Sequence, residues 1–229
     1  MLTAAEWAIV ALSLKVAFAA IALTLPVAFA LAWVLARKAF YGRMMLDTLV
    51  HLPLVLPPVV TGWLLLLFFG AQGTGGRMLQ ALFGTTLMFR WTGAALAAGI
   101  MALPLMVRAI RLSLEAVDRR LESAARTLGA SRLRAYASVT LPLALPGIGA
   151  AVVLGFARSL GEFGATITFV SNVPGETRTL PLAIYTALQV PGAEDSVTRM
   201  AIASVVLSLA ALAVSEWLVR RGGGRAHVL

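Results

Sequence analysis

Cysteine is absent from the 229 residues, which excludes disulfides, thiolate metal sites and cysteine nucleophiles and leaves the redox compartment unread. Lysine occurs only as Lys15, after Leu14, and Lys38, after Arg37. A phosphate-binding loop needs its lysine in a Gly-Lys-Ser/Thr context, so the chain is not a Walker-type ATPase. Histidine is limited to His51 and His227, and neither an HExxH pair nor a G-x-S-x-G elbow occurs. Zinc-protease and serine-hydrolase chemistry therefore lack support, and no catalytic, cofactor-binding or metal-ligating set is expected. Acidic residues are scarce, 10 against 19 Lys and Arg, for a net charge of +9. The start, MLTAAEWAIV, has no basic segment and no small-residue cleavage site before a polar stretch, so it reads as part of a retained first span. No internal repeat is visible.

Apolar residues are abundant: 60% of the chain is hydrophobic, 13% is charged, and the mean hydropathy is +0.90. Such a chain is an all-α, polytopic membrane domain occupying residues 1–229. Residues 16–36 are free of charge and cover about 31 Å as a helix, enough to cross the hydrocarbon. Lys15 beside them is expected to snorkel. Further spans are predicted over 52–69, with Pro53, Pro57 and Pro58 in its first turns, over 91–107, within 143–170, and over 197–219, five in all. Residues 179–191 are too short to cross and read as an interfacial or re-entrant piece.

Basic residues set the direction. Arg37, Lys38 and Arg43 follow the first span. Arg108, Arg111, Arg119, Arg120, Arg126, Arg132 and Arg134 follow the third, and Arg220, Arg221 and Arg225 follow the fifth. On the opposite side, loops 70–90 and 171–196 with the first turn of the fifth span hold only Arg77, Arg90, Arg178 and Arg199, and the two loops are expected to be turn-rich and aqueous. The positive-inside rule places the amino terminus outside and the carboxyl terminus in the cytoplasm. Cations gathered in short loops beside spans set topology, so nucleic acid is not an expected partner; membrane lipid is.

One loop is unlike the rest. Over residues 111–142, RLSLEAVDRRLESAARTLGASRLRAYASVTLP, apolar Leu114, Val117, Leu121, Ala124/Ala125 and Leu128 recur at helical spacing. Glu115 and Arg119, and Glu122 and Arg126, stand at i,i+4 in the favourable order. Gly129 can take the left-handed position that closes a helix, Ser131 can cap the next, and Pro142 and Pro146 are expected to interrupt the pattern. The result is a helix-turn-helix tied to a span at each end. It reads either as an amphipathic loop on lipid headgroups or as a surface for a soluble partner.

Ser123-Ala124-Ala125-x3-Gly129-x9-Val139-x-Leu141-Pro142 resembles the coupling loop of ABC importer permeases, in which Glu-Ala-Ala, three residues, Gly, nine residues, Ile, any residue and Leu-Pro recur. Spacing matches throughout. Ser123 stands where that pattern has glutamate, with Glu122 one place earlier, and Val139 replaces isoleucine. ALSLKVA, VHLPLVLPPVVTGWLLL, LPLMVRAIRL and above all FARSLGEFGATITFVSNVPGETRTLPLAIYT resemble the molybdate branch of that family across nearly the whole chain. Sulfate permeases share a related segment but are usually longer, with an additional span.

The resemblance implies a transport subunit rather than an enzyme. Glu122, Ser123, Ala124, Ala125, Gly129, Val139, Leu141 and Pro142 would dock on a separate ATPase dimer that carries ATP and Mg. A second copy of the chain and an extracytoplasmic oxyanion-binding protein would complete the assembly. It also implies molybdate as cargo in a bacterial cytoplasmic membrane, with sulfate or tungstate as rivals and a stand-alone secondary anion transporter as a further alternative. Arg158 and Glu162, i and i+4 in the fourth span, are the opposite-charge pair placed deepest, where each charge costs about 2.5–3.5 kcal/mol. They read as an ion pair that locks the bundle, as a lining of the anion route with Arg158 held by Glu162, or as an interfacial pair. Pro26, Pro57, Pro58 and Pro104, with Gly155, Gly161 and Gly164, are kink, packing or hinge positions, and Trp7, Trp33, Trp91 and Trp217 are expected at span ends.

Overall fold

A computed structural model describes residues 2–223, with side chains through residue 214. Among the described residues the chain is helical with no strand, and four helices are long and apolar enough to cross a membrane, a fifth if one sharply bent pair counts as a span. Trp217, Arg220 and Arg221 lie outside the described side chains, and Arg225 lies outside the described residues.

Helix α1, Ala4–Arg37, starts at a capping box. The Thr3 hydroxyl accepts from the Glu6 amide at 3.2 Å and Glu6 accepts from the Thr3 amide at 2.7 Å. At about 51 Å it overshoots the predicted 16–36. The extra turns persist because buried Glu6 also receives Arg199 Nη2 at 2.8 Å and the Ser196 hydroxyl at 2.8 Å, tying the starts of α1 and of α11, Glu194–Gly223, together. The Lys15 ammonium sits 3.9 Å from the ring centre of Trp91, which opens α5, Trp91–Ala116.

The second predicted span is broken. Helix α2, Arg43–Val55, and α3, Pro58–Phe69, meet at 113°. Pro57 and Pro58 lie at the break rather than inside one helix: the residue before a proline avoids the helical region, and Leu56 sits at ψ 141° and Pro57 at ψ 134°. The outer loop 70–90 contains an amphipathic helix, α4, Thr74–Phe83, which the glycine-rich sequence concealed.

Helix α5, Trp91–Ala116, is the central post, packed against α1 and α8, Leu141–Leu160. Small residues make the approach close. Ala20, Ala28 and Ala32 of α1 and Ala94, Ala98 and Ala102 of α5 are fully or almost fully buried, and a Cβ at Gly99 would stand 2.4 Å from the Thr24 hydroxyl. Helices α9, Gly164–Val170, and α10, Leu180–Ala187, fill the outer half. Between them Thr177, fully buried, accepts from the Val173 amide at 2.7 Å and donates to the Ser171 carbonyl at 2.9 Å. The Leu180 amide donates to Ser13 of α1 at 2.8 Å. The piece predicted at 179–191 is the short helix α10. By contrast α11 leaves Ile202, Val205, Val206, Leu209 and Leu212 more than half exposed, a face suited to lipid or to another apolar helix.

Candidate functional site

The loop over 111–142 is bent differently from the sequence expectation. Helix α5 ends at Ala116, Val117 is extended, and Asp118 caps α6, Arg119–Thr127, by accepting from the Arg120 amide at 2.8 Å. The apolar stripe is split by this break. Leu114, on α5, is fully buried and Val117 is nearly so, while Leu121, Leu128 and Leu133 are 47%, 89% and 78% exposed. Leucines that find no cover on a helix otherwise dressed in arginine form a surface fit for a partner.

The expected i,i+4 pairs are also replaced. Glu115 takes Arg111 at 2.9 Å, and Arg111 reaches Asp47 of α2 at 3.1 Å. Glu122 pairs with Arg37 at the end of α1 at 2.9 Å and accepts from the Thr140 hydroxyl. The break at Val117 rotates α6 away from α5, so Glu115 pairs back along its own helix while Glu122 finds tertiary partners. Glu122 thus clips the elbow to α1 and to the root of α8. Ser123, in the register of the motif glutamate, is exposed and only donates back to the Arg119 carbonyl at 3.2 Å.

Gly129 holds φ at +93°, the left-handed turn anticipated for it, and Ser131 caps α7, Arg132–Ala135, by accepting from the Arg134 amide. Pro142 and Pro146 do not interrupt the helix. A π-turn, Tyr136–Thr140, joins α7 to α8, and the Leu141 amide reaches back to Tyr136. The wider turn re-phases the backbone just ahead of Pro142, which sits in the first turn of α8 where its missing amide matters least. Ala124 and Gly129 are exposed and Ala125 is half-buried at the corner; Val139, Leu141 and Pro142 belong to the root of α8. The structure therefore divides the eight motif residues into an outward corner and the stem that carries it.

At the other candidate site α8 ends at Leu160, and the chain turns through Gly161 before α9 begins at Gly164. Arg158 Nη1 lies 2.7 Å from Glu162 Oε2, and Glu162 Oε1 accepts from the Ala165 amide at 2.8 Å. Glu162 is 3% exposed, whereas the Arg158 side chain keeps 26%. The pair sits on a helix break rather than within a continuous span. This break lies against the other one: a Cβ at Gly164 would stand 2.8 Å from Pro58 Cβ, and one at Gly62 would stand 2.6 Å from the Ala165 carbonyl oxygen. Thr61 and Ser159 flank the junction with buried hydroxyls that have no partner among the described residues. Non-helical backbone at membrane depth persists where it is buried or lines a polar route, and two facing breaks supply such a place. Sequence reasoning found Arg158 and Glu162 but missed Thr61 and Ser159; the Pro-Pro step beside Thr61 was the available signal. No cluster able to hold a metal ion occurs among the described residues.

Residues 24–222 match the family model described as binding-protein-dependent transport system inner membrane component. The chain is 56% identical, over 99% of its length and 99% of the relative's, to the molybdenum transport system permease protein ModB of Escherichia coli K12. To the sulfate transport system permease protein CysT of Salmonella typhimurium it is 38% identical over 87% of this chain and 71% of that one. The fold is shared with a chain in the crystal structure of a bacterial alginate ABC transporter in complex with alginate pentasaccharide-bound periplasmic protein. That match has a TM-score of 0.75 at 18% identity and covers 96% of this chain and 80% of the other.

Proposed function

We infer the activity from the family to which this chain belongs, the binding-protein-dependent transport system inner membrane components: it is the membrane-spanning permease subunit of an ATP-driven importer of molybdate. The observation that carries the cargo is 56% identity along the full length of both chains to a molybdenum permease. The sulfate permease agrees less well and over less of its own length, which favours molybdate over sulfate.

The basic ends of α1 and α5 support an elbow on the cytoplasmic face of a bacterial inner membrane. There Ala124, Gly129 and the exposed leucines of α6 and α7 seat in a separate ATPase subunit, which binds ATP and Mg. Two copies of the chain enclose one path, and an extracytoplasmic binding protein delivers the anion. ATP binding closes the ATPase dimer and drags both elbows, and the bundles rock from inward-open to outward-open; hydrolysis resets them. Arg158, a quarter exposed and held by Glu162, offers the passing dianion a single weak contact at the junction of the two broken helices. A tighter site would slow release, so selectivity resides in the binding protein.

The test is co-purification with the ATPase and binding protein, followed by ATP hydrolysis in nanodiscs. Molybdate should stimulate hydrolysis, and Arg158→Ala should lower uptake while leaving ATPase association intact. Molybdate transport by the permease alone would refute the importer reading, and wild-type uptake by Arg158→Ala would remove that residue from the path.

A further inference from the structure

Between the inner end of α1 and helices α6 and α7 lies a cavity of ≈ 800 Å³ whose lining shares Glu122 and Leu133 with the proposed coupling residues and none with the helix junction. Its mouth carries five cations, Arg37, Lys38, Arg119, Arg126 and Arg132, against the single carboxylate of Glu122. That carboxylate is already taken by Arg37 and Thr140, so no acid in the cavity remains for the other four. Two buried donors on its wall, Arg37 Nε and the Tyr136 hydroxyl, have no acceptor among the described residues. Above the mouth the wall turns apolar with Phe29, Ala30 and Trp33 of α1. Phe29 stands two turns, about 12 Å, along the shaft from Arg37.

We propose that this slot binds one anionic phospholipid of the inner leaflet. Its headgroup phosphate lies among Arg119, Arg126, Arg132 and the unpartnered Nε of Arg37, and an acyl chain follows Phe29, Ala30 and Trp33. A basic pocket set between membrane helices at the inner interface has the charge and depth for such a headgroup. A water-borne partner could answer the charges but would have no use for an apolar wall running toward the hydrocarbon. The lipid ties α6 and α7 to α1 at a point Glu122 alone does not cover, so elbow position depends on leaflet composition. This inference rests on the inner-side placement of the elbow and not on the cargo.

Trp33 reports occupancy directly. The permease assembled with its ATPase is placed in nanodiscs, and quenching by brominated phosphatidylglycerol is compared with quenching by brominated phosphatidylcholine, Trp33→Phe supplying the background from the other tryptophans. Phosphatidylglycerol should half-quench Trp33 at a several-fold lower mole fraction. Arg126→Gln with Arg132→Gln should weaken that preference by roughly twentyfold, about fivefold for each charge near the surface. Arg77→Gln with Arg90→Gln, on the far side, should leave it unchanged.

Equal quenching by the two lipids, or a preference that survives loss of Arg126 and Arg132, would overturn the proposal. So would a preference present in the permease alone and abolished by adding the ATPase, which would give the slot to that subunit. If the double variant does not assemble, the wild-type comparison against Trp33→Phe decides. Failure of the ATPase to associate at all would strike the importer reading and leave quenching of the permease alone as the measure of the lipid site.

Discussion

Neutralising Glu162 separates two roles for the charge pair. Glu162→Gln keeps an oxygen for the Ala165 amide, 2.8 Å away in the wild type, but strands Arg158, whose guanidinium lies 2.7 Å from the lost charge. Breaking a buried pair from one side costs about 3–5 kcal/mol. Arg158 retains 26% exposure and with it some hydration, which puts the cost near the lower end, about 3 kcal/mol. For a chain of this length that is a fall of roughly 6–12 °C in the melting temperature. Arg158→Gln combined with Glu162→Gln removes the stranded charge and should recover about 2 kcal/mol of the loss, a coupling within the range for residues in contact. Thermal unfolding of the detergent-solubilised assembly gives the four corners of the cycle, and uptake into proteoliposomes gives the function at each. The double variant should be nearly as stable as wild type yet still transport poorly. Additive losses of stability would refute the pairing argument, and uptake that recovers together with stability would reduce the pair to a bundle lock.

The junction of the broken helices supplies a second test. Gly62→Ala puts a methyl 2.6 Å from the Ala165 backbone oxygen, whereas Gly155→Ala meets the flexible ends of Met106 and Ile21 at 2.6 and 2.7 Å. Overpacking costs about 1–3 kcal/mol, and Gly62→Ala should sit at the top of that range and Gly155→Ala at the bottom, read as melting temperatures; equal losses would mean that the α3 to α9 contact is loose. Leu128, 89% exposed, contributes almost nothing to the permease core. Leu128→Asp should therefore release the ATPase from co-purification without moving the melting temperature of the permease, and retained ATPase would take that face out of the docking surface.

Much of this architecture was legible in the chain. Charge-free runs located the membrane helices, and Gly129 and Ser131 announced the turn and cap that the structure contains, because local backbone chemistry decides those positions. The break at Leu56–Pro57 was visible as two prolines yet was read as the start of a span. Proline restricts the residue before it, and hydropathy cannot see that. The pairing of Glu122 was hidden for a different reason. Its partners Arg37 and Thr140 lie 85 residues before it and 18 after it, and only the rotation of α6 at Val117 aims the carboxylate at them. The buried hydroxyls of Thr61 and Ser159 carried no periodic mark, since each belongs to the meeting of two elements rather than to one.

The π-turn at Tyr136–Thr140 has a mechanical meaning. It joins α7 directly to α8, so that Arg132–Leu160 runs as one rod of 29 residues, about 43 Å from end to end. The corner proposed to seat the ATPase is at its foot and Arg158 is near its tip. A tilt of roughly 10° about the middle would carry each end about 4 Å in opposite directions. A stroke delivered at the foot would then reach the guanidinium as a sideways swing of comparable size.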